Sequence, residues 1–140
     1  MRFSQSETDR HTQDSLEAVH NTLGHVVDRL AMIEGLKDGS IDVIATDHAP
    51  HHADEKALEF DKAPFGIVGC ETCVPLCVTQ LVEPGHITLS RLVELLSAAP
   101  ARIMGVTGGT LAEGAPADIT VLAPSAPVTI RAAELKSKSK

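Results

Sequence analysis

The chain has 140 residues, of which 43% are apolar and 22% charged, the balance of a globular protein with length enough for one core. Its net charge of −7 argues against a nucleic-acid partner, because phosphate neutralisation takes clustered Lys and Arg, and the one basic cluster is the terminal Lys136-Ser137-Lys138-Ser139-Lys140. No apolar run approaches the roughly 20 residues of a membrane span, and no signal-peptide core follows Met1, so the expected place is the cytoplasm and no membrane partner is expected. Aromatic residues make up 2% of the chain, with no Trp or Tyr, so any core is aliphatic.

Leu16, Val19, Leu23, Val26 and Leu30 recur at spacings of three and four, which predicts an amphipathic helix from about Asp14 to Leu36. His20 and His25 are not at the i, i+4 spacing of a helical metal pair, and together with His11 they read as surface residues. Gly35 and Gly39 are expected to end the helix, with Asp38-Gly39 turning into a strand over Ile41–Thr46. The stretch from Asp47 to Gly69 reads as a long loop, of a length that is usually functional. Within it Asp54-Glu55-Lys56 starts a short helix and Ala63-Pro64-Phe65-Gly66 makes a turn.

A second helical pattern covers Glu71 to Val82, with Pro75 near its first turn and Pro84-Gly85 as its stop. Cys70, Cys73 and Cys77 fall at i, i+3 and i+7, one face of a helix. Such a set reads either as thiolate ligands for a metal or iron–sulfur cluster or as small core residues; the apolar neighbours Val74, Leu76, Val78 and Leu81 favour the core. Ser90 is the expected cap of a helix over Arg91–Leu96, and Pro100–Met104 a further short helix. Ile119–Leu122 and Val128–Ile130 read as short strands. One strong strand of parallel type cannot make a sheet alone, because its backbone groups need neighbours on both sides.

The chemistry concentrates in Thr46-Asp47-His48-Ala49-Pro50-His51-His52, directly after the β-branched run Ile41–Ala45. A strand that delivers Asp and His at its C-terminal end is where α/β barrels keep their catalytic groups. The alternative is an Asp-initiated turn held by Pro50 with solvated histidines; the whole seven-residue string favours the catalytic reading.

From Asp28 onward the chain resembles the C-terminal third of a dihydroorotase of the bacterial class I type, in the amidohydrolase superfamily. The residues that carry this are Ile33–Gly39, Ile41–His51, Lys62-Ala63-Pro64-Phe65-Gly66-Ile67, Glu71-Thr72, Glu113–Asp118 and Ser137-Lys138-Ser139. Allantoinases and hydantoinases share the Ser/Thr-Asp-His element but differ in the Ala-Pro-His and Ala-Pro-Phe-Gly segments. The resemblance implies an α/β fold: the last strand of an amidohydrolase TIM barrel with its helices, plus strands of a small flanking β-sandwich, the barrel being incomplete. Residues 1–27 would then be an unrecognised, partly helical N-terminal segment, residues 28–110 the end of the barrel, and residues 111–140 a partial sandwich with a basic tail.

By the same resemblance Asp47 is a zinc ligand and the general base and acid of cyclic amide hydrolysis, the interconversion of dihydroorotate and N-carbamoyl-aspartate in pyrimidine biosynthesis. His51 is expected to meet the substrate carboxylate, and Phe65 and Gly66 to offer it backbone groups. His48 is left to orient Asp47, and His52 and His86 to solvent. The family holds zinc with a His-x-His pair, an Asp or modified Lys and two further histidines; the sequence contains no His-x-His, and the Asn-Pro-Pro-Leu-Arg segment expected upstream is absent. A catalytic zinc needs three protein ligands, so the isolated chain is expected to be inactive: a truncated enzyme, or one completed by another chain. The alternative is an inactive dihydroorotase-like subunit that supports aspartate transcarbamoylase.

Overall fold

The computed structural model describes residues 2–137, with side chains from residue 10 onward. Two compact units divide the chain, Met1–Ile41 and Asp42–Lys140.

The first unit is one helix, α1 (Arg2–Asp38), 37 residues long. It runs well beyond the expected Asp14–Leu36 at its N-terminal end, and residues 2–27, read as partly helical, are helical throughout. The reason is an absence of breakers: the first Pro of the chain is Pro50, and only Gly24 and Gly35 interrupt the pattern. Gly35 does not end the helix but lies inside it, where a Cβ would stand 3.0 Å from Ile41 Cδ1. The lack of a side chain lets the chain return, and the Ile41 N–H donates to the Gly35 carbonyl at 2.9 Å. Gly39 makes the stop, at φ +90°. Asp38 accepts the Ser40 N–H at 2.8 Å there, and Lys37 in the last turn pairs with Glu34 at 2.9 Å. Ile33 and Leu36 are buried, whereas Leu16, Val19, Leu23, Val26 and Leu30 are exposed.

The second unit opens with the segment expected as a strand, Ile41–Thr46. It makes no strand, and no sheet forms among the described residues; the one bridge is an isolated parallel pairing of His48 with Ile67. Ile119–Leu122 and Val128–Ile130 likewise form no ladder. A strand is defined by its neighbours, and a β-branched pattern cannot supply them.

The regular structure of this unit is helical and separated by long irregular stretches: α2 (Ala53–Lys56), α3 (Cys73–Cys77) running into a π turn (Val78–Val82), then α4 (Leu89–Val93), a second π turn (Glu94–Ala98), α5 (Ala99–Met104) and a 3-10 turn (Ala132–Glu134). The cap of α4 is Thr88 rather than the expected Ser90; its hydroxyl accepts the Arg91 N–H at 3.1 Å. The core of this unit is made by Val78, Ile87, Leu92, Leu95 and Ala99, all aliphatic as the composition requires.

The second π turn has an identifiable cause. The Ala99 N–H bonds to the Glu94 carbonyl, and residue 100 is proline, which has no N–H. The Leu95 carbonyl therefore lacks a helical donor, and the Ile44 N–H supplies one at 3.1 Å. This bond ties the Ile41–Thr46 segment to the most deeply buried helix. Leu95→Ala should lower stability by about 2–5 kcal/mol in urea unfolding, whereas Leu111→Ala, at an 85% exposed position, should stay within about 0.5 kcal/mol.

Candidate active site

Asp47 follows Ile41–Thr46 and adopts φ +45°, a left-handed conformation that costs a residue with a Cβ about 1–2 kcal/mol and that Asp tolerates better than most. Strain of this kind collects at functional sites. The carboxylate-bearing residue is exposed, and it shares an open hollow of about 640 Å³ with Lys56, Phe60, Phe65, Gly66 and Ile67.

Pro64–Ile67 line that hollow, and three hydrogen bonds seat the Pro64–Cys70 segment on residues 48 and 49, with two more from Lys56. The Ala49 N–H donates to the Ile67 carbonyl at 3.0 Å. His48 Nδ1 accepts the N–H of Gly69 at 2.9 Å and that of Cys70 at 3.3 Å. Two glycines allow the approach: a Cβ at Gly66 would stand 2.6 Å from the Ala49 carbonyl oxygen and 2.9 Å from His51 Nε2, and one at Gly69 would stand 2.8 Å from the Thr46 carbonyl oxygen. Gly66 is also at φ +134°, where side chains are strained. Finally, Lys56 Nζ donates to the carbonyls of Pro64 and Gly66, both at 3.0 Å.

The four residues expected to form the site are thus brought into one neighbourhood. Asp47, Phe65 and Gly66 line the hollow, and the half-buried His51 packs over Gly66 with its Nδ1 3.7 Å from the Glu55 carboxylate. The Phe65 ring is 95% exposed. His52 is exposed as expected but is also a cap: its Nδ1 accepts the Asp54 N–H at 3.3 Å while Glu55 accepts the His52 N–H at 3.1 Å. Lys56 went unread as a site residue because Asp54-Glu55-Lys56 looks like nothing more than a short helix start.

A catalytic zinc requires three protein donors. Among the described residues no three His, Cys, Asp or Glu side chains are grouped so as to hold a metal ion, so this chain's own donor set does not fit one. The cysteines also part company: Cys70 is exposed in the turn before α3, and Cys73 and Cys77 are half-buried rather than core residues. The three do not share the helical face that their spacing suggests, because the helix starts at Cys73. Burial, then the neighbouring Cys73 thiol, pushes the Cys77 thiol up to about 11. Glu71 is held below the usual carboxylate range, chiefly by the Lys136 N–H; its carboxylate receives the N–H groups of Lys136 at 2.9 Å and Ser137 at 3.1 Å.

Two outcomes follow for these groups. Alkylation with iodoacetamide near neutrality should reach exposed Cys70 before Cys77, read by peptide mass mapping; because the folded Cys77 thiol keeps its proton from its ordinary value of 9.0 up to about 11, its contribution to stability falls as pH rises through that window. For Glu71 the sign is opposite: the lowered folded value means that protection of the Lys136 and Ser137 amides is present above the ordinary carboxylate range and is lost as acid protonates it, as amide exchange would record.

Comparison of the sequence with known proteins gives the family. Residues 12–138 match the model of the amidohydrolase family. The dihydroorotase of Acetivibrio thermocellus is 54% identical over 110 residues, 79% of this chain and 26% of the relative. That of Geobacter sp. strain M21 is 50% identical over 127 residues, 91% of this chain and 30% of the relative. That of Solibacter usitatus is 43% identical over 138 residues, 99% of this chain and 32% of the relative. The chain spans about a quarter to a third of the length of these curated relatives. With a family match across most of its residues and identities of this size, the chain belongs to the amidohydrolase family.

Proposed function

We propose that this chain supplies the last-strand part of a dihydroorotase-type active site, one that interconverts dihydroorotate and N-carbamoyl-aspartate by opening and closing a cyclic amide. The observation that carries the reading is the seating of the Pro64–Cys70 segment on residues 46–51, which puts Asp47, Phe65 and Gly66 around one hollow with His51 against Gly66. Both molecules are carboxylates, and the hollow suits an anion: Lys56 lines it, and His51 stands beside it as a hydrogen-bond donor to a carboxylate. In this reading Asp47 carries a proton from the attacking water to the leaving nitrogen, as the general base and acid of the reaction. It is also the one residue of this chain proposed as a zinc ligand, by family membership. The remaining donors are not among the described residues, so the chain alone is read as inactive, with the rest of the barrel as the partner that completes it.

The test is complementation. The purified chain should bind no stoichiometric zinc and hydrolyse no dihydroorotate; a polypeptide carrying the other barrel strands should restore both. In that complex Asp47→Asn should lower the rate by about 10²–10⁴-fold, the usual size of a general base contribution, with His51→Ala acting mainly on KM. Zinc and turnover by the chain alone would overturn the incompleteness, and restored activity indifferent to Asp47→Asn would overturn its role. The unfitting donor set also favours a second reading, a non-catalytic partner of aspartate transcarbamoylase; failure of the two to co-elute would remove it.

A further inference from the structure

We infer that His48 and Lys56 are positioning residues, a pair of clamps of opposite polarity that set the Pro64–Cys70 segment and decide which of its backbone groups are left to meet a ligand. His48 acts at one end as an acceptor. Its Nδ1 receives the N–H groups of Gly69 and Cys70 at 2.9 and 3.3 Å, which requires that nitrogen to be unprotonated and places the ring proton on Nε2. Lys56 acts at the other end as a donor, its ammonium holding the carbonyls of Pro64 and Gly66 at 3.0 Å each. Between them the Ile67 carbonyl takes the Ala49 N–H. Lys56 and Ala49 thus engage three carbonyls of the segment, and a fourth, that of Gly69, takes the N–H groups of Thr72 and Cys73, whereas the N–H groups of Phe65 and Gly66 donate to nothing among the described residues.

The consequence is chemical. With the Pro64 and Gly66 carbonyls turned onto a cation and the Ile67 carbonyl onto a neighbouring amide, the N–H groups of Phe65 and Gly66 are left as donors for an anion. An ordinary turn could hold the same Ala-Pro-Phe-Gly sequence with its carbonyls outward. Only Lys and Arg combine several donors on one flexible stem with no acceptor, which is what position 56 needs. His48, which sits between Asp47 and Ala49, couples this loop to the strained residue across the hollow. That the loop so set meets a carboxylate substrate rests on the hydrolase reading; the clamps themselves do not.

Amide exchange followed by NMR on the full chain tests the inference without zinc, substrate or activity. His48→Ala should speed exchange at Gly69 and Cys70 by about fivefold or more, while His48→Asn, whose side-chain oxygen stands near the Nδ1 position, should restore much of the protection. Lys56→Met should loosen the Ala49 amide by a similar factor, and Lys56→Arg should recover it. The Leu92 amide, bonded to the Thr88 carbonyl at 3.0 Å, is the internal control for global unfolding. Should the Ala or Met variant fail to fold, the wild-type chain decides: Gly69 and Cys70 amides that exchange well below the rate of a free peptide support the clamp, and amides that exchange at that rate overturn it. Unchanged exchange at Gly69 and Cys70 in a folded His48→Ala would overturn it as well. Because none of these readouts involves hydrolysis, loss of the clamp and loss of the hydrolase reading are separate results.

Discussion

A single carbonyl without a helical partner organises the second unit. Proline at position 100 removes one possible donor to the Leu95 carbonyl, and the π turn directs the Ala99 N–H to Glu94 instead. In a buried helix an unmet carbonyl costs about 1–3 kcal/mol, and the Ile44 N–H meets it at 3.1 Å. The Ile41–Thr46 segment is thereby fastened at its centre to Leu95, the residue with no exposure at all. Everything that bears on chemistry lies downstream of that bond: Asp47 is three residues further on, and the contacts to the Pro64–Cys70 segment begin at Thr46.

The loop opposite is built less by packing than by geometry and polarity. Two glycines remove the Cβ atoms that would collide with the Ala49 and Thr46 carbonyls. Hydrogen bonds from an imidazole, an ammonium and a main-chain amide then fill the acceptors and donors that close approach exposes. Each such bond contributes about 1 kcal/mol net, so the arrangement depends on several acting together rather than on a hydrophobic anchor. The Phe65 ring is almost wholly exposed and Ile67 largely so, and neither anchors the segment.

The helical face of α1 and the Ile41–Thr46 segment show the same imbalance from the other side. Leu16, Leu23 and Leu30 lie on one stripe and are each more than half exposed, and the Ile41–Thr46 backbone has no ladder on either edge. Periodicity sets which residues would face a core, but it contains no information about whether a core is there. The same limit explains Ile119–Leu122 and Val128–Ile130, where an alternating apolar pattern forms no ladder among the described residues. The helices fared better because their hydrogen bonds are local, closing within four or five residues of sequence.

What the sequence by itself determined was local: helix where no breaker intervenes, a turn at Gly39, and the identity of Asp47, His51, Phe65 and Gly66 as residues to watch. It also carried the family, since the Thr-Asp-His-Ala-Pro-His and Ala-Pro-Phe-Gly strings are specific as strings. Only the tertiary structure decided that Lys56 and His48 hold the loop, that Glu71 receives the chain's last described amides, and that Ile44 completes Leu95. Those pairings join residues from eight to more than sixty positions apart, and no window of sequence contains both partners' backbone directions. A hydrogen bond between distant segments is fixed by where folding brings them, and the donor set for a catalytic metal is subject to the same rule: its members must converge in space, which a motif on one strand cannot accomplish alone.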